Sequence, residues 1–187
     1  MTAQAARVLA CGGEVWVGDE TTVREYPPLR AGWSKRGVPA DVVISGRNAQ
    51  RVIHGALNAA TGELVALAQP RGRTAEVAAA VEALGRIRPD VPKLLVWDNA
   101  PAHHPKRVAA AALLAGIELA FLPFRSPELM PLEELWRGAK AVAAANRCYA
   151  SVDEAAARTV AWLADQTGEE RLRRCGLRSS KFQWLPT

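Results

Sequence analysis

The run KLLVW, residues 93–97, is short, apolar and without alternation, and it is bounded by RPDVP before it and DNAP after it. A run of this kind reads as a strand buried on both faces, which requires helices over both sides of a sheet. The segments around it fit that demand. HPKRVAAAALLAGI (104–117) reads as a helix, ELAFLP (118–123) as a strand, and MPLEELWRGAKAVAAANR (130–147) and SVDEAAARTVAWLADQT (151–167) as two further helices. Upstream, TAEVAAAVEALGRI (74–87) opens on a Thr cap and repeats Val77, Val81 and Leu84 on one helical face.

The first part of the chain is patterned differently. EVWVGDE (14–20) alternates and ends in two acids, and DVVIS (41–45) and AQRVIHGALN (49–58) look like strands. ThrGly at 61–62 is a turn, after which ELVALAQ (63–69) pairs back, so residues 41–69 are expected to form an antiparallel meander. Between them TTVREYPPLRAGWSKRGVPA (21–40) concentrates proline and glycine around Trp33 and reads as a long loop or hairpin excursion. A three-stranded meander followed by βαβ crossovers gives an α/β fold with a mixed five-stranded sheet: three antiparallel strands, two more in parallel, and helices on both faces. This is the ribonuclease-H-like arrangement. With 187 residues, no internal repeat and no convincing linker, residues 1–187 are expected to make a single domain.

Composition excludes several classes. The 49% hydrophobic content is broken by charge throughout, with no stretch near the roughly 20 apolar residues of a membrane span. The first residues lack the apolar run of a secretory signal, and a cytoplasmic chain is expected. Cys11, Cys148 and Cys175 are odd in number and far apart, suggesting neither a disulfide framework nor a zinc site. RGRT (71–74) is no phosphate-binding P-loop, and no G-x-S-x-G elbow occurs. The net charge of +5 is concentrated in RLRRCGLRSSK (171–181), five cations without an acid. That stretch, within a basic C-terminal tail over 168–187, suits a polyanion such as nucleic acid, with Arg173 and Arg174 as contacts; a solvated tail explains it as well.

Three acids stand where strands end or a helix begins: Asp19 after VWVG, Asp98 after LLVW, and Glu133 in the first turn of the helix after LPFRSPELMP. In the expected topology Asp19 and Asp98 project from the same edge of neighbouring parallel strands. Two adjacent carboxylates repel, and a divalent cation resolves the conflict. A third acid allows a second ion roughly 3.5 to 4 Å from the first, the arrangement that activates a nucleophile for in-line phosphoryl displacement. Taken singly, each aspartate also serves as an ordinary turn former. Glu20 falls on the opposite face of its strand and is expected to be structural or exposed. On a helical wheel Leu132, Leu135, Trp136, Ala139 and Val142 form one stripe, with Glu133 on its border and Glu134 pointing away. An i,i+4 pair between Glu133 and Arg137 is the plain alternative for that acid.

VGDE, VWDNAPAHH and SPELMPLEELW resemble the three signature blocks of the DDE transposases, in particular the mariner-like superfamily and its bacterial insertion-sequence relatives. The 34 residues from Asn99 to Leu132, between Asp98 and Glu133, match the interval typical of that group. GELVAL, the GW before a basic turn, and the closing GLRSSKFQWLPT extend the likeness over most of the chain. The resemblance implies a ribonuclease-H-like catalytic core that uses two divalent ions, Mg²⁺ or Mn²⁺, to cut transposon ends and join them to target DNA in the bacterial cytoplasm, at the nucleoid. Asp19, Asp98 and Glu133 take the catalytic, metal-binding positions, and work as a homodimer on DNA is implied too. His103, and Asn99 beside Asp98, are secondary candidates for orienting a ligand; His104 is less so.

Two features depart from the family pattern. Met130 stands where the family has Asn. Only eighteen residues precede Asp19, which leaves no room for the helix-turn-helix modules that read transposon ends. The expectation is therefore a catalytic domain needing a separate DNA-binding subunit, or an inactive remnant or non-catalytic DNA-binding or inhibitory subunit with the same fold. Trp33, Lys35 and Arg36 in AGWSKRG combine a stacking surface with cations, and with Arg137 and Lys140 they are the remaining DNA-contact candidates. Trp16, Trp97 and Trp136 are expected to pack the core.

Overall fold

A computed structural model describes residues 1–182, 184 and 185. Gln183, Pro186 and Thr187 of the closing stretch lie outside the described residues. The elements run α1 (Thr2–Ala10), β1 (Glu14–Arg24), β2 (Gln50–Asn58), β3 (Leu64–Gln69), α2 (Thr74–Gly85), β4 (Lys93–Trp97), α3 (Lys106–Leu114), β5 (Ile117–Phe121), α4 (Leu132–Ala139), α5 (Val152–Asp165) and α6 (Gly168–Arg174). The strands form one sheet in the order β3-β2-β1-β4-β5. β1–β2 and β2–β3 are antiparallel, and β1–β4 and β4–β5 are parallel. This is the mixed ribonuclease-H-like sheet the element order predicts.

Each face carries its own apolar cluster, because successive side chains of a strand point to opposite sides. Val15, Val17, Ile53, Leu57, Leu94 and Val96 pack on one face against residues of α1, α4, α5 and α6. Trp16, Ala56 and Leu95 pack on the other against Val77, Val81 and Leu84 of α2 and Val108, Ala111 and Ala112 of α3. β4 is buried along its whole length, as KLLVW requires. Even Lys93 is buried; its ammonium donates to the carbonyls of Arg88 (2.7 Å) and Val91 (3.0 Å). No described helix is long and apolar enough to cross a membrane.

Several expectations are corrected. DVVIS is not a strand: residues 26–49 contain no helix or strand, and Val43 is 80% exposed. The edge of β1 beside which a meander would place 41–45 is taken by β2 along Trp16–Arg24, and Val43 and Ile44 find no apolar face to bury against. The N-terminal residues form α1, with Ala5 and Val8 buried on one side. Thr74 is the first helical residue of α2 and not its cap; Arg73 holds that position without a side-chain cap bond.

The stripe on α4 holds for Leu132, Leu135, Trp136 and Ala139 but fails at Val142, which is 48% exposed. There the helix widens into a π-turn over Lys140–Ala144. The wider turn shifts the phase and buries Ala143 and Ala144 instead.

The basic stretch 171–181 is not a tail. It forms α6 and a folded terminus whose Leu172, Cys175, Leu177 and Phe182 join the core, where burial pushes the Cys175 thiol up to about 12. Thr167 and Glu170 cap α6 reciprocally. The Arg171 guanidinium donates to the carbonyls of Leu163, Ala164 and Gly62 at 3.0 Å each. Gly62, at φ +70°, and Gly168 bring two backbones into contact, since a Cβ on Gly62 would lie 2.1 Å from the Gly168 carbonyl oxygen.

Candidate active site

Strand pairing brings the two aspartates together. Val17 pairs with Val96 in the parallel β1–β4 ladder, and Asp19 and Asp98 lie two positions beyond them on their respective chains. Asp19 has the strand parity of Val15 and Val17 and so faces α4; Glu20 faces the α2–α3 side with Trp16. Asp19, Asp98 and Glu133 line one cavity of about 360 Å³, walled by Asn99, Ala100, the 122–127 loop and Met130. A second cavity of about 350 Å³ continues from it past Glu20, Thr21, Arg30, Trp136, Arg137 and Lys140, with Asp19 and Glu133 lining both.

The three acids are held differently. Burial, together with the neighbouring Glu20 and Asp98 charges, pushes the Asp19 carboxyl up to about 7. A hydrogen bond from the Trp136 indole N–H to its Oδ2 (2.9 Å) opposes that rise. Asp98 accepts from the Ala100 backbone N–H at Oδ1 (3.0 Å), and the same oxygen lies 2.8 Å from His103 Nδ1. Glu133 is exposed and has no hydrogen bond or ion pair among the described residues. Its plain alternative is excluded, because Arg137 pairs with Glu134 (3.0 Å).

Trp136 reaches Asp19 because its partner across the sheet is small. Gly55 pairs with Asp19 in the β1–β2 ladder, and a Cβ there would lie 2.4 Å from the Trp136 ring. The indole therefore lies over bare backbone, and the helix that carries Glu133 is seated against the strand that carries Asp19.

Two adjacent carboxylates, one half-buried and pushed up to about 7, form a hard oxygen donor set that a divalent cation of the Mg²⁺ or Mn²⁺ type relieves. The open cavity leaves space for the waters such ions retain. Among the described residues no three His, Cys, Asp or Glu side chains converge closely enough to hold a metal ion by themselves. The set is thus the aspartate pair, with Glu133 on the rim.

A family model described as DDE superfamily endonuclease matches residues 14–155. The chain belongs to that family. Among solved structures, the Mos1 transposase paired-end complex with left transposon end is similar at 19% identity and a TM-score of 0.65, covering 97% of this chain and 57% of that one. The mariner Mos1 paired end complex with Mg matches at 18% identity and TM-score 0.68, covering 97% and 57%. The catalytic domain of Mos1 mariner transposase matches at 16% and 0.61, covering 98% and 87%. This DDE endonuclease chain thus spans 57% of the transposase chain in the first of these complexes and has the fold of the catalytic domain. No curated protein sequence matches it.

The remaining sequence candidates divide clearly. Asn99 donates its side-chain amide to the Leu122 carbonyl, bracing the ends of β4 and β5 at the cavity wall. His103 is buried and His104 is exposed, the latter against Phe121 with ring centroids 4.5 Å apart. Met130 is buried in the core under the cavity; the side chain in this place packs rather than offering a polar contact. Lys140 is half-buried in the second cavity, where burial lowers its ammonium and the nearby Asp19 opposes the shift.

Trp33, Lys35 and Arg36 lie on the exposed 26–49 segment, with Trp33 fully exposed. Arg173 and Arg174 line neither acidic cavity. Arg173 pairs with Glu169 (3.0 Å), and Arg174 sits over Trp162 with its guanidinium 5.2 Å from the ring centroid.

Sequence reasoning missed Glu20 and His54. Glu20 does lie on the opposite face, yet it accepts from His103 Nε2 (2.9 Å) and faces His54 Nδ1 (3.1 Å) with one oxygen. Burial alone would raise the Glu20 carboxyl, but these two histidines outweigh it and hold it at about 2. Burial would lower His103; the Glu20 and Asp98 oxygens outweigh it and raise the imidazole above its ordinary value. The only sequence signal for His54 is a histidine inside an otherwise apolar strand.

Proposed function

We propose that this chain is the catalytic core of an insertion-sequence transposase, a metal-dependent DNA endonuclease and strand transferase. The observation that carries the reading is the placement of Asp19 and Asp98 side by side on adjacent parallel strands, with Glu133 on the same cavity. Asp19 and Asp98 would hold the divalent ions, Mg²⁺ or Mn²⁺, and Glu133 would complete the second position. When bound, the ions supply a nucleophile of lowered pKa and charge neutralisation at the scissile phosphate.

The chain's own residues do the positioning. Trp136 fixes one Asp19 oxygen, Ala100 and His103 fix one Asp98 oxygen, and Glu133 is uncommitted until a ligand arrives. A water serves as nucleophile in the cleavage step and a DNA 3′-hydroxyl in the joining step. Lys140, Arg137 and Arg30 give the continuing cavity a cationic wall suited to a phosphodiester backbone. Trp33, Lys35 and Arg36 add a stacking surface and two cations on the exposed arm. Transposon ends and target DNA are the substrates in this reading. End recognition falls to helix-turn-helix modules outside these residues, on a separate subunit or elsewhere in a longer chain, and the working form is a homodimer on DNA.

The test is nicking of supercoiled plasmid with and without Mn²⁺. Asp98→Ala, Asp19→Ala and Glu133→Ala should each abolish Mn²⁺-dependent cleavage while the folded circular-dichroism spectrum persists. Cleavage by Asp98→Ala at the wild-type rate would sink the assignment. One observation favours a second reading, a non-catalytic subunit of the same fold: no three ligating side chains converge among the described residues. That reading predicts DNA binding without cleavage at any Mn²⁺ concentration.

A further inference from the structure

A chain of buried polar contacts crosses the sheet from the β3–α2 connection to Asp98. The Arg71 carbonyl lies 3.5 Å from His54 Nε2, and His54 Nδ1 lies 3.1 Å from Glu20 Oε1. The same Glu20 oxygen lies 2.9 Å from His103 Nε2, and His103 Nδ1 lies 2.8 Å from Asp98 Oδ1 and 3.2 Å from the Asp98 carbonyl. His54 stands directly opposite Glu20 in the β1–β2 register. His54 and His103 are 2% and 1% exposed, so bulk water does not reach the two imidazoles.

The geometry explains what a packing role leaves over. Asp98 follows the last residue of β4 and its side chain is 48% exposed, a place where a carboxylate would otherwise rotate freely. Both contacts on it fall on Oδ1, which leaves Oδ2 uncommitted toward the cavity. His103 supplies one of those contacts, and its ring is fixed twice: by stacking on Trp97, centroids 4.0 Å apart at 19°, and by the hydrogen bond to Glu20. With Glu20 accepting at Nε2, the imidazole presents Nδ1 to Asp98 in one ring orientation. Glu20 does not line the cavity that holds Asp98; it borders the second cavity and its charge bears on Asp19 directly, but its link to Asp98 runs through His103.

We propose that Glu20 is a positioning residue, acting through His103 to fix the Asp98 carboxylate in the orientation that binds the divalent ion, with His54 anchoring Glu20 from the far side. The inference rests on Asp98 being a metal-binding carboxylate. Partners of this kind, one contact removed from the ligand, typically contribute 10- to 100-fold in metal affinity or activity.

The experiment compares wild-type protein with Glu20→Gln, which keeps the side-chain length and removes the charge. Mn²⁺ affinity measured by calorimetry should fall about 10- to 100-fold, and kcat for plasmid nicking should fall with KM for DNA unchanged. In the metal-free crystal structure of Glu20→Gln the Asp98 carboxylate should leave its His103 contact. Wild-type affinity with an unmoved Asp98 overturns the proposal. A wild type that binds Mn²⁺ yet cuts no DNA defeats the transposase reading alone, and the affinity difference read together with the crystallographic position of Asp98 still decides on Glu20, since an affinity loss with Asp98 unmoved would place the effect on Asp19 instead and overturn the proposal. Should the wild type bind no Mn²⁺ either, the crystallographic position of Asp98 decides. If Glu20→Gln does not fold, His103→Gln carries the test, and wild-type Mn²⁺ affinity with an unmoved Asp98 in that variant overturns the proposal equally.

Discussion

At the scale of single residues, the unbalanced charge at Asp19 has a thermodynamic consequence. Its folded-state carboxyl titrates at about 7, above the ordinary aspartate value of 3.8. Between those values the folded chain holds a proton the unfolded chain has released, so stability falls as pH rises through the window, by up to about 1.4 kcal/mol per unit. Glu20 works in the opposite sense, its depressed carboxyl adding stability that is lost only below about pH 4. His103, raised, adds stability that is lost as pH climbs past its ordinary range. Asp19→Asn isolates the first effect, since it removes the titrating group and leaves the other two. Without divalent cation the variant should melt several degrees above wild type at pH 8, given about 2–4 °C per kcal/mol for a chain of this size, and should match it near pH 4. Millimolar Mg²⁺ should raise the wild-type melting temperature and leave that of the variant unchanged. Equal pH slopes in differential scanning calorimetry would show that Asp19 is not the strained group.

At the scale of elements, the contact between β2 and α4 sets where Glu133 sits. Gly55→Val places branched carbon where the Trp136 ring lies, at a spot where even a Cβ would come within 2.4 Å. The expected cost is about 1–3 kcal/mol from overpacking, with Mn²⁺ affinity lost as α4 is displaced; thermal melts and calorimetry check both. The 26–49 arm should behave in the opposite way. Trp33→Ala with Lys35→Ala and Arg36→Ala removes exposed side chains only, so the melting temperature should stay within a degree or so. DNA affinity should drop, and the slope of log K against log salt should fall in magnitude by about 1.8 if both cations meet phosphates. These two elements also show what was legible beforehand. KLLVW and the helix periods dictated the sheet order, the faces and the positions of Asp19, Asp98 and Glu133, because burial on two faces and burial on one leave different periodicities. Trp136 as a hydrogen-bond donor, and Glu20 with His54 behind Asp98, were not legible: each depends on a cross-strand register that no local pattern encodes. DVVIS failed for a related reason, since a strand-like sequence forms a strand only where it finds a partner and a face to bury, and Val43 and Ile44 lie exposed.

At the scale of the whole molecule, the C-terminal segment decides between two accounts of the same five cations. If residues 168–187 were a solvated basic tail, deleting them would weaken DNA binding in a salt-dependent manner and leave the fold alone. The packing argues otherwise. Leu172, Cys175, Leu177, Phe182 and Leu185 belong to the apolar cluster beneath β1, β2 and β4 that also holds Leu132, Leu135 and Trp136. Arg171 ties α6 to the end of α5 and to the β2–β3 turn through three carbonyls, and Gly168 lies in backbone contact with Gly62. Removing the segment would expose several core side chains at roughly 1.5–3 kcal/mol each, a sum comparable to the 5–15 kcal/mol by which domains are stable. A chain ending at Thr167 should therefore lose its near-ultraviolet circular dichroism and its cooperative melt, and the Asp19–Trp136 contact with them, since α4 would lose the layer behind it. Arg171→Ala is the milder version: it should lower the melting temperature by several degrees while leaving the salt dependence of DNA binding as in the wild type. A truncated chain that melts cooperatively near the wild-type temperature and differs only in its salt-dependent affinity would restore the tail account.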